Sequence, residues 1–321
     1  MTSALAVDFT EDEVQQMLDN LDQYTADEIV EIDKLVDELD SRRVNKAAYD
    51  DLIEFCKRMQ PDYIVGKHHR MLGNMLMDIA EGKKDRICVN IPPRHGKSQL
   101  VSIFFPAWFL GRNPNKKVMM VSHTTDLAVD FGRKVRNLIS TDEYNSIFPT
   151  VKLAVDSKSA GRWNTNSGGE YYACGIGSSI AGRGADLLLV DDPHSEQDVI
   201  NGNFEVFDKA YEWFTFGART RLMPGGRVAI IQTRWHMDDL TGRVTRDMTQ
   251  NERADQYDVV EFPAILDVIN KKTKKSEQKP LWPEFFDLNA LLRTKASMPT
   301  FQWNAQYQQE PTAEEAALIK R

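Results

Sequence analysis

Apolar positions along this chain recur either every three to four residues or in short unbroken runs, a mixture that predicts helices alternating with buried strands. Val14, Met17, Leu18 and Leu21 follow Thr10 and Glu13 at helical spacing, and Ile29, Ile32, Val36 and Leu39 follow Thr25 and Glu28 in the same way. A hydroxyl answered three residues later by a glutamate satisfies two orphan amides at a helix start, so each pair predicts a capping box. After Pro61 an amphipathic helix is expected around His68 to Ala80. Buried strands are expected from Arg86, over Lys117–Ser122, from Ala185, over Arg227–Thr233 and over Tyr257–Phe262, with helices over Thr125–Ile139 and Phe204–Arg221 between them. Trp163 to Gly177 alternates around Ser-Gly-Gly at 167–169, which predicts a hairpin. Strands and helices in alternation predict a mainly parallel sheet covered on both faces.

The strand from Arg86 runs into Pro92-Pro-Arg-His-Gly-Lys-Ser98 and then an apolar helix. Such a turn aims the first amides of the helix at one point, where phosphate oxygens are held by N–H donors and the helix dipole. Lys97 would add a charge at the β- and γ-phosphates, and Ser98 a hydroxyl ligand for Mg²⁺. The first glycine of the usual G-x-x-x-x-G-K-[ST] pattern falls on Ile91, so Gly-Lys-Ser alone is also compatible with an ordinary surface turn. Some ninety residues on, the apolar run Ala185-Asp-Leu-Leu-Leu-Val ends in Asp191 and Asp192. Lying beside the first strand, it would bring Asp191 to the metal and Asp192 to an attacking water. The bland alternative is a helix N-cap.

Charge changes this picture only locally. The formal net charge is −8, yet residues 1–60 hold sixteen acids against six bases, which leaves the remainder close to neutral. A uniformly basic nucleic-acid coat is excluded, and DNA contact is expected from a patch or from a ring of subunits. The basic stretch Lys271–Lys279 is expected to be a polar loop, either solvated or against phosphates. Cys56, Cys88 and Cys174 are too far apart in sequence for metal-ligand spacing or a disulfide framework, which fits a reducing compartment. No run has the length of a membrane span, and the N-terminus lacks the basic flank of a signal peptide.

Four blocks in order resemble the large terminase subunit of tailed bacteriophages, the motor that drives DNA into a preformed capsid. They are Pro92–Ser98, Gly182-Arg-Gly-Ala-Asp-Leu-Leu-Leu-Val-Asp-Asp-Pro193, Gln232-Thr-Arg-Trp-His-Met-Asp-Asp-Leu240 and Phe301-Gln-Trp-Asn-Ala-Gln-Tyr-Gln-Gln-Glu-Pro311. The resemblance spans roughly residues 60 to 311. It implies a P-loop NTPase fold of the additional-strand type, an α/β sheet with a small helical N-terminal subdomain. The implied organisation is an acidic helical segment over 1–59, an ATPase domain over 60–311 and the start of a linker over 312–321.

What the resemblance implies for single residues follows the motifs. Pro93, Arg94, His95, Gly96, Lys97, Ser98 and Gln99 would cradle the ATP phosphates. Ser98 and Asp191 would hold Mg²⁺, and Asp192 would be the catalytic carboxylate. Most such motors carry glutamate there, so Glu196 is an alternative. Thr233 matches the coupling position that senses the γ-phosphate. Arg94 resembles the arginine within the family's phosphate loop, displaced by one position from some relatives. An arginine from a neighbouring subunit would complete the site, with Arg183 the first choice and Arg162 and Arg234 the alternates. Adenine would lie against Tyr63, His68 and His69. The implied partners are double-stranded DNA, a portal protein, a small terminase subunit and further copies in a ring, with no membrane. The implied place is the host cytoplasm, transiently on the procapsid portal and not in the mature virion. The family's nuclease half is not expected in this chain. Rival readings are a helicase-like translocase and a non-hydrolysing nucleotide-dependent docking module.

Overall fold

The computed structural model describes residues 9–157, 159–200, 204–270 and 274–312. Helices α1 (Glu11–Asp19) and α2 (Ala26–Asp50) open the chain, and both predicted capping boxes are formed, Thr10 with Glu13 and Thr25 with Glu28. Only Ile32 and Ala48 are buried along α2. Helix α3 (Leu52–Met59) differs: Asp51 caps it, and Leu52, Ile53, Phe55 and Cys56 enter the main core. Helix α4 (Lys67–Glu81) follows and leads into β1 (Arg86–Asn90).

The helix after the phosphate loop begins as a π-helix over Gln99–Phe104 and continues as α5 (Phe105–Arg112). Then come β2 (Lys117–Ser122), α6 (Thr125–Ile139), α7 (Asp142–Ile147) and the predicted hairpin of β3 (Arg162–Asn164) and β4 (Glu170–Gly175). Strand β5 (Ala185–Asp191) ends on the first of the paired acids and is followed by α8 (Glu196–Ile200) and α9 (Glu205–Glu212). The helix expected over Phe204–Arg221 is interrupted: α9 passes into a π-helix over Trp213–Ala218 and a 3₁₀ turn over Arg219–Arg221. Strand β6 (Leu222–Gln232), α10 (Leu240–Gln250) and β7 (Asp258–Glu261) complete the main layer.

A small unit follows, made of β8 (Ile265–Ile269), β9 (Ser276–Pro280), α11 (Leu288–Ala296) and α12 (Thr300–Gln308) around Ala264, Ile265, Leu291 and Trp303. It corrects one expectation. Part of the basic stretch expected to be a loop is strand β9, paired antiparallel with β8. Its side chains are largely exposed, so backbone pairing, not burial, holds it. Residues 271–273 of that stretch lie outside the described residues.

Seven strands form one sheet in the order β3-β4-β2-β5-β6-β1-β7, parallel throughout except for β3. Here the structure overturns a placement. Strand β5 is not beside β1; β6 lies between them, which separates the two motif strands by about 10 Å. The register still levels their ends, because Asn90 pairs with Gln232 and Asp191 with Ile231. Side chains alternate between two cores. Ile87, Val89, Met120, Leu187, Leu189 and Ile231 face one, with α3 to α6; Cys88, Met119, Val121, Leu188, Val190 and Ile230 face the other, with Phe214, Leu240 and Tyr257. The three cysteines are free and buried. Among the described residues, no helix is long and apolar enough to cross a membrane.

Candidate functional site

The site sits where β1, β6 and β5 end together. Ile91 donates its amide to the Gln232 carbonyl at 3.0 Å, and Asp192 donates its own to Ile231 at 3.0 Å, so the end of β6 is tied to both motifs. Past Ile91 the chain turns through Arg94, with φ 62°, and Gly96, with φ 78°. A Cβ on Gly96 would lie 2.3 Å from His69 Nε2, so both the backbone angle and the space require glycine there.

His68 and His69 hold this turn. Each ring places Nε2 3.0 Å from the His95 carbonyl oxygen. A carbonyl only accepts, so both rings donate from Nε2; His69 Nδ1 in turn accepts the Gly66 amide at 3.0 Å. Burial lowers both histidines to about 4, and for His68 the neighbouring His69 adds to the effect. Both are therefore neutral near pH 7. His95 donates from Nδ1 to the Pro93 carbonyl at 2.9 Å and stacks on Phe286 at 4.9 Å. Trp282 packs edge-on against His69 at 4.7 Å. Tyr63, His68 and His69 are buried, and Tyr63 packs on Phe104, so none presents a free face to a base. In the structure His68 and His69 clamp the phosphate loop.

The two charged motifs meet. Lys97 Nζ lies 2.8 Å from Asp192 Oδ2. Burial alone would push the Lys97 ammonium down, but Asp192 and Asp191 outweigh it and hold its pKa above the usual lysine value. Asp192 has φ 43°, a left-handed backbone in a non-glycine residue, and its Oδ1 accepts the Thr233 amide at 2.8 Å. Thr233 also donates its hydroxyl to the Ile91 carbonyl at 3.2 Å, so it touches both motifs. Asp191 is 1% exposed; its Oδ2 accepts the Ser102 hydroxyl at 2.6 Å, and Oδ1 has no hydrogen-bond partner. Burial, and then Asp192, push it up to about 6, against the opposing charge of Lys97 and the Ser102 hydrogen bond.

An orphaned buried carboxylate oxygen beside a serine fits a hard cation that takes oxygen ligands. Among the described residues no three His, Cys, Asp or Glu side chains gather as a metal cage. Mg²⁺ is bound by few protein groups and completes its shell with phosphate and water. Ser98 and Asp191 are the residues that would hold it.

The remaining candidates separate into those near the loop and those remote from it. Arg94 is exposed on the turn, and Gln99 Nε2 donates to Gln60 Oε1. Glu196 is exposed and lines a cavity of about 300 Å³ with Val199, Trp235, Gln302 and Gln306, so Asp192 alone of the two contacts Lys97. Arg234 is committed inside the fold, with Nε 2.9 Å from Asp239 Oδ2. Arg183 and Arg162 lie at the opposite end of the sheet, sharing Glu170 Oε1 at 3.6 and 2.8 Å, with Arg183 over the Tyr172 ring. The length of β5, about 20 Å, separates Arg183 from Asp191. Sequence reading missed Ser102, Trp282, Phe286 and Gln309; they act through contacts across long stretches of chain, which leave no local pattern.

The model of the family described as terminase large subunit, T4likevirus-type, N-terminal, matches residues 88–306. Among solved structures, the chain is similar to a mutant of the large terminase ATPase domain of Thermus phage P74-26, with 16% identity and a TM-score of 0.46 over 74% of this chain and 93% of that one. The HK97 bacteriophage large terminase gives 13% and 0.48 over 82% and 55%. The large terminase of a thermophilic bacteriophage, in complex with ATP-gamma-S, gives 11% and 0.47 over 73% and 51%. The chain thus spans about half the length of the latter two terminases. No curated protein sequence matches. With the matched family spanning well over half of the chain, from β1 into α12, this protein belongs to the N-terminal family of T4-like-virus-type terminase large subunits.

Proposed function

We propose that this chain hydrolyses ATP with Mg²⁺ and uses the turnover to drive double-stranded DNA through a portal into a procapsid. The observation that carries the reading is the 2.8 Å contact between Lys97 and Asp192, which gathers phosphate-binding and catalytic groups at one point. The turn from Pro93 to Gln99 holds the phosphates, with Lys97 and the helix amides neutralising the β- and γ-oxygens. Ser98 and Asp191 would hold Mg²⁺, which would supply further charge neutralisation there. Asp192 orients the attacking water, and Thr233, bonded to Asp192 on one side and Ile91 on the other, reports the state of the γ-phosphate. Arg94 lies on the exposed side of the turn, where it would meet the triphosphate.

Arg183 is too far from its own phosphate loop to serve it. Its place on the opposite end of the sheet supports a role toward the loop of a neighbouring copy in a ring, where a guanidinium would stabilise charge on the transferred phosphoryl group. The working partners are then DNA, portal protein, small terminase subunit and identical neighbours, in the host cytoplasm at the portal. Phosphate release tests the reading: turnover with Mg²⁺ that rises on adding duplex DNA is expected. Absence of turnover with and without DNA would overturn it in favour of a docking module, and strand separation on duplex without a capsid would favour a helicase-like translocase.

A further inference from the structure

The last of the four sequence blocks, Phe301 to Pro311, has no part in the phosphate site as derived above, yet it reaches the coupling segment. Gln309 ends α12 with φ 62° and is 1% exposed. A helix commonly ends on a left-handed residue, and glycine adopts that backbone without strain. Here a glutamine does so, and both ends of its side-chain amide are used. Nε2 donates to the Gln306 carbonyl at 2.6 Å, and Oε1 accepts the Arg234 amide at 3.2 Å.

That second bond lies one peptide from the amide that the Asp192 carboxylate accepts. The amides on either side of the Thr233 Cα point to different partners: the Thr233 N–H goes to Asp192 Oδ1 at 2.8 Å and the Arg234 N–H goes to Gln309. Thr233 is therefore held between Asp192 and the end of α12. Asp192 itself has a left-handed backbone that needs outside support, and the Thr233 amide is part of it. The buried Arg234–Asp239 pair fixes the far side of the same segment, with Asp239 also capping α10 through the Gly242 amide at 3.0 Å.

From this chain of contacts we infer that Gln309 is a positioning residue for hydrolysis, setting the Thr233 amide against Asp192 and linking that carboxylate to the end of α12. The inference rests on the proposed ATPase reading. Its neighbour provides an internal control. Gln308 makes two hydrogen bonds of its own, accepting the Ile265 amide at 3.2 Å and donating to the Ile265 carbonyl at 3.1 Å, and so anchors the same helix without touching the coupling segment.

The test compares wild type with Gln309→Gly, Gln309→Glu and Gln308→Ala. Glycine removes the acceptor while keeping the left-handed backbone easy, and glutamate keeps an acceptor oxygen. For Gln309→Gly, kcat for phosphate release is expected to fall about tenfold, as for a displaced catalytic group, with KM for ATP within about twofold. Gln309→Glu, which keeps the acceptor for the Arg234 amide but sets its other oxygen against the Gln306 carbonyl, should recover part of that loss at most, and Gln308→Ala should leave kcat near wild type even if it melts earlier. Hydrogen exchange at the Thr233 and Arg234 amides, measured without nucleotide, should quicken in Gln309→Gly and not in Gln308→Ala. Unchanged kcat and exchange in Gln309→Gly, or equal losses in the two glutamine positions, would overturn the inference while leaving the ATPase reading intact. A wild type without turnover would remove the ATPase reading itself and the positioning role with it.

Discussion

Lys97 Nζ and Asp192 Oδ2 stand 2.8 Å apart, so the cation expected to grip a triphosphate is gripped by the acid expected to act on it. The two ends of Asp192 are both engaged, since Oδ1 holds the Thr233 amide. A bound γ-phosphate would compete with Asp192 for Lys97 and release one carboxylate oxygen to a water. Asp192→Asn weakens Lys97's hold on that site, so a non-hydrolysable fluorescent ATP analogue is expected to bind at least as tightly as to wild type. Weaker binding by that variant would count against the competition.

Lys97→Ala leaves the buried Asp191 and the half-buried Asp192 without their counter-charge. Removing one partner of a fully buried pair costs about 3 kcal/mol or more; Asp192 reaches solvent, which screens part of that, so urea unfolding should show a loss on the order of 2 kcal/mol. The asparagine variant at 192 should lose much less, because it removes a charge instead of stranding one. Equal losses would contradict the assignment of Lys97 as the neutralising group.

Acid should loosen the fold through its buried histidines. Burial lowers His68, His69, His95 and His194 to about 4, with the first three clustered at the phosphate loop. A histidine with a depressed folded pKa gives stability that is present above 6.5 and lost as pH falls toward 4. At pH 5 each contributes a loss on the order of 2 kcal/mol relative to pH 7. Asp191 works in the opposite sense: with its pKa raised to about 6, its destabilising effect grows as pH rises from about 4 to about 6, so acidification recovers part of the loss. The histidines outnumber it, and unfolding free energy should drop clearly between pH 7 and pH 5. A flat profile would mean that these rings are not buried neutral.

Ser98 and Ser102 both approach Asp191, but with different consequences. Ser102 is fully buried in the π-helix and its hydroxyl bonds Asp191 Oδ2, so Ser102→Ala should lower stability by about 1–3 kcal/mol. Ser98→Ala should instead raise the Mg²⁺ concentration needed for half-maximal turnover. A magnesium titration of both variants separates the roles, and an unchanged titration for Ser98→Ala would remove it as a ligand.

Arg183 can be tested by mixing. If it serves a neighbour, Arg183→Ala and Lys97→Ala are each inactive alone, yet a mixture regains turnover at interfaces where an intact Arg183 meets an intact phosphate loop. No recovery at any ratio, under conditions where wild type assembles on portal and DNA, would place Arg183 in the Glu170 cluster as a structural residue only.

Much of this was legible in the chain. The capping boxes at Thr10 and Thr25, the strands at Lys117 and Ala185 and the helix over Thr125–Ile139 are local patterns, and they appear where the pattern puts them. The meeting of Lys97 with Asp192 follows from two motifs that each end a buried strand. Strand order was not legible: the apolar run over Arg227–Thr233 marks β6 as buried, but which strand separates β1 from β5 depends on crossovers packing on the sheet. Nor were the clamp of His68 and His69 on the His95 carbonyl or the reach of Gln309 to Arg234. Both are side-chain to backbone bonds, and neither requires any residue periodicity. The resemblance implied that His68 and His69, in the segment before the first strand, meet adenine; in the fold their rings hold the His95 carbonyl.

The most direct test of the central claim is phosphate release by wild type and Asp192→Asn, with Mg²⁺ and duplex DNA, at a nucleotide concentration shown to saturate both. The account predicts turnover by wild type and a loss of at least about a hundredfold in the variant despite full occupancy. Turnover by Asp192→Asn close to wild type would contradict it.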